Sequence, residues 1–273
     1  MSGLIHPTAI VDADANVASD VEIGPFAVIG SRVSLAAGNK IGAGAQVQGP
    51  TSLGEGNRIF PYACVGFEPQ DLKFKGGETR LEIGAGNIFR EFCTIHRGTE
   101  EGGGKTSIGN SNLFMAYSHV AHDCIVGDHT IFSNSATLAG HVVVEDKAVV
   151  GAFSAVHQFC RVGRHAYIGG FSVITKDALP WVKTVGQKPL CYGINTIGLQ
   201  RQGFSEARIQ LLQTAMRILL RSGLNTSQAV ERLESEFPDN DDVRYLLDFL
   251  RGSQRGVITA RPGRRGGRGG QAE

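Results

Sequence analysis

Large aliphatic or aromatic residues recur at every sixth position over most of this chain. From Ile108 they run through Phe114, Val120, Val126, Phe132, Leu138, Val144, Val150, Val156, Val162 and Ile168 to Ile174 without a slip, and a small or slim residue stands four positions after each, as at Ser118, Cys124, Ala136, Ser154 and Cys160. The same rhythm opens the chain at Ile5, Val11 and Val17, continues to Val65, and returns at Ile83, Phe89 and Ile95. A fixed hexapeptide period predicts a parallel β-helix, in which each repeat is one short side and stacked repeats share a continuous core. The large residue fills the interior and the small one fits a corner. If three hexads close one coil, positions eighteen apart stack, with coils about 4.8 Å apart.

The pattern fails twice. Between Val65 and Ile83 the sixth positions would be Asp71 and Gly77, and between Ile95 and Ile108 the chain reads HRGTEEGGGKTS. Both interruptions predict loops projecting from the coil, over 66–82 and 96–107, and loops on a rigid scaffold commonly carry function. The second has glycines beside a lysine but lacks the G-x-x-x-x-G-K-[ST] spacing of a phosphate loop, so nucleotide hydrolysis is rejected. After Ile174 the period stops at Asp177–Pro180 and a connector leads to helical signals. Ser205 is placed to cap a helix whose stripe is Ile209, Leu212, Met216, Leu219 and Leu220 before Gly223. Two shorter stripes follow, Val230, Leu233 and Phe237, then Val243, Leu246, Leu247 and Leu250. The expected organisation is a coil over 1–190, a helical domain over 191–252 and a structureless Arg/Gly-rich tail over 253–273.

Composition narrows the class. Thirty-seven glycines and only 7% aromatic residues in 273 suit a solenoid better than a compact globule. No signal peptide or membrane span is evident, which predicts a cytoplasmic protein without membrane insertion. The five cysteines include Cys93, Cys124 and Cys160 at corner positions, and they read as reduced packing residues. Net charge is +1, but residues 251–273 carry +5, leaving −4 on the rest. The tail is a solvated segment on this reading, and no nucleic-acid partner is expected.

Five of the eight histidines fall between Ser118 and Cys160. On the eighteen-residue ruler His122 lies under Gly140 and Gln158, and Asp123 under His141, so His119, His122, His141 and His157 crowd one face over three coils. Imidazole titrates near neutrality and can remove a hydroxyl proton and return it to a leaving group. His122 is the best-placed base. Gly140, lacking a side chain, opens its N–H to a developing oxyanion. Asp123 is a candidate to orient His122, provided a corner intervenes between these neighbours. Two rival readings stand beside acyl transfer. One is a zinc site on His119, His122 and His141, as in hexapeptide-repeat carbonic anhydrases, although the H-x-x-x-x-H spacing is absent. The other is a solenoid without activity, which would not need the histidine face.

SHVAHDC, LAGHV, VHQFC, QDLKF and GINTIGLQRQGF together closely resemble the UDP-N-acetylglucosamine O-acyltransferases of lipid A biosynthesis, over about residues 5–251. The resemblance implies a left-handed parallel β-helix with a small α-helical C-terminal domain, assembled as a homotrimer with sites between subunits. It implies transfer of an (R)-3-hydroxyacyl group from acyl carrier protein to the sugar 3-hydroxyl of UDP-N-acetylglucosamine, without a cofactor. His122 matches the family's base and Gly140 its oxyanion donor. Asp71 and Lys73 match sugar- or acyl-contacting residues, while His119, His141, His157, Gln158, Asn195 and Arg201 match nucleotide-sugar or positioning residues. Gly170 matches the position that sets acyl length, and glycine there implies a donor of about 14 carbons rather than about 10. Ile197 and Gln202 depart from the charged residues many relatives carry. The neighbouring glucosamine N-acyltransferases have an extra N-terminal domain, whereas the hexads here begin at Ile5.

Overall fold

A computed structural model describes residues 4–261. Its strands are mostly two residues long and join, among the described residues, into three sheets of nine, eight and ten strands, built from every third strand except where the last two strands close the ten-stranded sheet. Pairing within the coil is parallel, and Val120, Leu138 and Val156 are register partners, so the eighteen-residue stack holds. The fold is a left-handed parallel β-helix followed by helices.

Each hexad sends its large residue inward; Ile29, Val65, Ile95, Val120 and Leu138 are fully buried. The third residue after it turns the corner with φ near +60°, at Tyr62, Phe92, Tyr117, Asp123, His141 and Phe159 among others. The small fourth residue then points back inside, because a larger one would not fit beneath the bend. Coils are joined by backbone bonds such as Val28 N–H to the Ala45 carbonyl at 2.9 Å. Identical side chains stack on one another: Phe89, Phe114 and Phe132 lie 4.8 and 4.7 Å apart, the strand spacing itself. One corner carries a buried amide ladder, in which Asn39, Asn57, Asn87 and Asn112 each accept the next backbone N–H through Oδ1 at 2.7–3.0 Å. These polar side chains are tolerated inside because each is satisfied.

The two pattern breaks are excursions, tighter than expected. Strand residues extend to Phe67 and resume at Arg80, then extend to His96 and resume at Lys105. The loops therefore span 68–79 and 97–104. Val65 still pairs with Ile95, and Ile95 with Val120, so the coil continues beneath both.

Past Ile174 the connector is more ordered than its composition suggested. Val182–Val185 pairs in parallel with Tyr167–Ile168 and antiparallel with Leu190–Ile194. The expected boundary at 190 thus falls within a strand that closes the coil, burying Leu179 and Trp181. Then come α1 (Thr196–Arg201), α2 (Glu206–Arg221), α3 (Thr226–Glu236) and α4 (Asp241–Arg251). Ser205 caps α2, accepting the Arg208 N–H at 3.3 Å. An ionic cluster ties helices to coil: Asp242 accepts from Arg164 and Arg208, Tyr245 donates to Glu145, and Arg164 lies 3.6 Å over the Tyr245 ring. The expectation of a structureless tail from Ser253 fails over 253–261. Asp177 is fully buried, accepts the Ser253 hydroxyl at 2.7 Å and bonds through its backbone to Gly256 and Ile258. Residues 262–273, with three of the tail's arginines, lie outside the described residues. Among the described residues no helix is long and apolar enough to cross a membrane.

Candidate active site

Both loops fold back over one corner of the coil and enclose a cleft of about 710 Å³. Its walls are Gln70, Asp71, Lys73 and Phe74 from the first loop, Thr99 to Gly102 from the second, and His122, His141, Gln158 and Phe159 from three successive coils. Of the sequence-predicted residues, Asp71, Lys73, His122, His141 and Gln158 line this space, with Asp123 and Gly140 against His122 behind it.

The corner geometry explains why His122 and Asp123 act on the same side. Adjacent strand residues point to opposite faces, but these two follow the strand His119–Val120, and Asp123 has φ +59°. Asp is among the residues that tolerate this left-handed backbone. The bend brings Asp123 Oδ2 within 2.8 Å of His122 Nδ1. A carboxylate accepts, so Nδ1 donates and the tautomer leaves Nε2 as the acceptor. Side-chain exposure is 1% for Asp123 and 15% for His122, so the carboxylate is shielded while one edge of the imidazole stays open.

Gly140 stacks one coil above. A Cβ there would lie 2.5 Å from His122 Cε1 and 2.8 Å from Nε2, so only glycine leaves the ring its place. Among the described residues no acceptor takes the Gly140 N–H. His141 stacks edge-on to His122 at 5.2 Å and face-on to Phe159 at 4.5 Å, with Nε2 3.7 Å from Asp123 Oδ2. Burial holds the His141 pKa below the ordinary histidine value, partly opposed by the Asp123 charge. Lys73 Nζ is 4.0 Å from Glu101, an exposed pair of little energetic weight.

The four histidines do not form one group. His119 turns its Nδ1 to Thr94 Oγ1 at 2.7 Å and lies edge-on to His96 at 5.3 Å; burial, then the neighbouring His96 and His122, push its pKa down to about 4. His96 was not singled out by the sequence. It is buried, 2.5 Å from the Glu68 carbonyl, and burial lowers its pKa too. His157 is exposed beside Arg255 at 3.3 Å. The three-imidazole zinc set is accordingly not assembled. The ligating atoms that do lie together, within 4.8 Å, belong to His122, Asp123 and His141. In that trio Asp123 Oδ2 is already engaged by the His122 N–H and the Thr99 hydroxyl.

Asn195, Arg201 and Gly170 also lie apart from the cleft of the single chain. Asn195 caps α1, accepting the Gly198 N–H at 3.4 Å, and Arg201 is exposed at its end. Gly170 sits over Ala152, whose carbonyl oxygen would be 3.2 Å from an added Cβ. The residues missed in sequence are Thr99, Gly102 and Thr106, which surround Asp123. Their signal was the glycine run of the second interruption, since glycine serves where backbone approaches closely.

Comparison with known proteins bears on the family. Residues 177–258 match the family described as Udp N-acetylglucosamine O-acyltransferase, domain 2, and residues 105–140 match the bacterial transferase hexapeptide family of six repeats. The chain is 53% identical over 254 residues to the acyl-(acyl carrier protein)–UDP-N-acetylglucosamine O-acyltransferase of Thiobacillus denitrificans, covering 93% of this chain and 98% of the relative. Identity to the enzyme of the same name from Xylella fastidiosa is 50% over 261 residues, covering 94% and 98%. Among solved structures, LpxA from Acinetobacter baumannii superposes with a TM-score of 0.91 at 45% identity, over 93% of this chain and 99% of that one. The Arabidopsis UDP-N-acetylglucosamine acyltransferase superposes with a TM-score of 0.81 at 36% identity, over 93% and 99%. With half its residues identical along nearly the full length of both chains, and a histidine–aspartate corner beneath an open glycine, this chain belongs to the UDP-N-acetylglucosamine O-acyltransferase family.

Proposed function

We propose that this protein transfers an (R)-3-hydroxyacyl group from acyl carrier protein to the 3-hydroxyl of UDP-N-acetylglucosamine, with His122 as general base. The observation that carries the reading is the pairing of His122 Nδ1 with a shielded Asp123, which leaves Nε2 facing a cleft beneath Gly140. Nε2 takes the sugar hydroxyl proton as that oxygen attacks the thioester carbonyl. The imidazolium that forms is stabilised by Asp123, and the carbonyl oxygen, now negative, receives the Gly140 N–H. Collapse breaks the carbon–sulfur bond, and the proton on His122 goes to the departing thiol. The neutral His96, His119 and His141 add no competing positive charge beside the base.

Asp71 and Lys73 are assigned to sugar or acyl contacts, and His141 and Gln158 to positioning the nucleotide sugar. His119, His157, Asn195 and Arg201 take nucleotide-sugar or positioning roles in a cleft shared between subunits of a homotrimer. Gly170 admits the longer acyl class, and the protein works in the cytoplasm.

The test is acyl transfer by metal-stripped protein, with UDP-N-acetylglucosamine and carrier-bound donors of graded length, beside His122→Ala. Turnover should survive metal removal and fall by about 10²–10⁴ in the variant, the usual weight of a general base. A variant of near-normal rate would remove His122 from the mechanism. Absence of turnover, with carbon dioxide hydration appearing on zinc addition, would reassign the corner to a metal.

A further inference from the structure

The second loop reaches Asp123 from outside the coil and holds its carboxylate at two points. The Thr99 N–H donates to Oδ1 at 2.9 Å, and the Thr99 hydroxyl donates to Oδ2 at 2.6 Å. The hydroxyl also accepts the Gly102 N–H at 3.1 Å, so its single proton is directed at the carboxylate. From the coil side, the Asp123 N–H donates to Thr106 Oγ1 at 2.8 Å. Thr99 and Thr106 are 4% and 0% exposed, which makes this a sealed polar cluster rather than a surface contact. The loop packs so closely that a Cβ on Gly102 would lie 2.1 Å from Asp123 Cγ.

We infer that Thr99 is a positioning residue for the His122–Asp123 pair. Its two donors occupy one site on each carboxylate oxygen and fix the plane of the group, so that Oδ2 keeps a lone pair aimed at His122 Nδ1. Without them the carboxylate is free to rotate about its χ2, a broad torsion, and the tautomer with Nε2 unprotonated is held less firmly. The same loop is joined to the first one, since Glu100 Oε1 accepts the Gly77 N–H at 2.6 Å. Loop geometry at Asp71 and Lys73 is thereby tied to the orientation of the base.

The inference rests on His122 being the base, and two readouts separate the claims. Proton NMR of the whole protein reads the His122 Nδ1 proton without substrate, as a downfield resonance absent from His122→Ala. Thr99→Ser should keep that resonance, whereas Thr99→Val should shift it upfield or broaden it. In acyl transfer, Thr99→Val should lower kcat about tenfold with KM within about twofold, the weight of one charge-assisted hydrogen bond, and Thr99→Ser should restore it. Gly102→Ala, which pushes the loop off Asp123 but keeps the hydroxyl, should reproduce the valine phenotype and guards against a folding defect peculiar to valine. In an Asp123→Asn background Thr99→Val should cost nothing further. An unchanged resonance in Thr99→Val, a loss confined to KM, or losses that multiply in the double variant would overturn the inference. If the variants show these NMR responses while the wild-type protein transfers no acyl group, the proposed reaction is refuted and the positioning role stands.

Discussion

Among the described residues Asp123 is one of sixteen non-glycine residues with a left-handed backbone, and the corner position is the same in each. What differs is the neighbourhood. Thr99, Thr106 and His122 converge on this one corner, and the energetic consequence is a carboxylate that is shielded yet fully bonded, a combination that burial without partners would make costly. Burial acts differently on the histidines. His119 and His165 are each pushed down to about 4 from an ordinary 6.5, chiefly by desolvation. A lowered histidine pKa means that between about 6.5 and 4 the unfolded chain binds more protons than the folded one, so stability rises with pH across that window. Stability is therefore complete above about 6.5 and is lost as pH falls toward 4. Urea midpoints at pH 7.5, 6 and 5 should decline, and less steeply in His165→Gln, which removes one contributor at a corner remote from the cleft. A flat series over this range would contradict the lowered pKa of these two half-buried histidines.

The hexad is the element of this fold, and its inward positions were readable directly because every coil repeats the same steric demand. The two breaks were readable as loops for the same reason, but not where they fold, because a loop's path depends on what it can bond to. Thr99 finds Asp123 and Arg97 finds the Gly49 and Gly66 carbonyls, partners 24 to 48 positions away. At the far end, Gly170 lies over Ala152 with open space outward, beside the exposed Phe171. Gly170→Met would send a side chain into that space. The expected outcome is a donor preference moved to shorter acyl chains, by roughly tenfold in relative kcat/KM, since a few methylenes denied a pocket are worth about 1–3 kcal/mol. Competition between two carrier-bound donors measures it, and an unmoved preference would end the acyl-ruler assignment.

At the scale of the molecule, one corner ridge stays bare in the single chain. Tyr62, Phe92 and Tyr117 stack in line at 5.6 and 5.0 Å, and Phe153 stacks on Phe171 at 5.2 Å, all between 45% and 67% exposed. Aligned exposed aromatics of this extent mark an interaction surface. The proposed homotrimer gives the ridge a place to be covered, and it gives Asn195, Arg201 and His157 a cleft to reach. Sedimentation equilibrium should return three times the chain mass of 29.1 kDa. A monomer retaining full transfer activity would refute the shared cleft.

The six-residue period by itself determined a β-helix and its inward positions, because every repeat buries the same two positions; that three repeats close one coil, and so the eighteen-residue ruler, is decided by the register of the structure. Given three sides, the unbroken run then puts His122 beneath Gly140, as the structure has it. Only the tertiary structure decided how the histidines divide. His119 turns to Thr94 and His157 to Arg255, so that the cleft keeps two imidazoles rather than four. It decided as well that Asp123 shares a side with His122, which follows from one positive φ, and that a glycine-rich loop supplies the donors for its carboxylate. Periodicity encodes contacts between equivalent positions, whereas contacts made by insertions depend on where the chain returns in space.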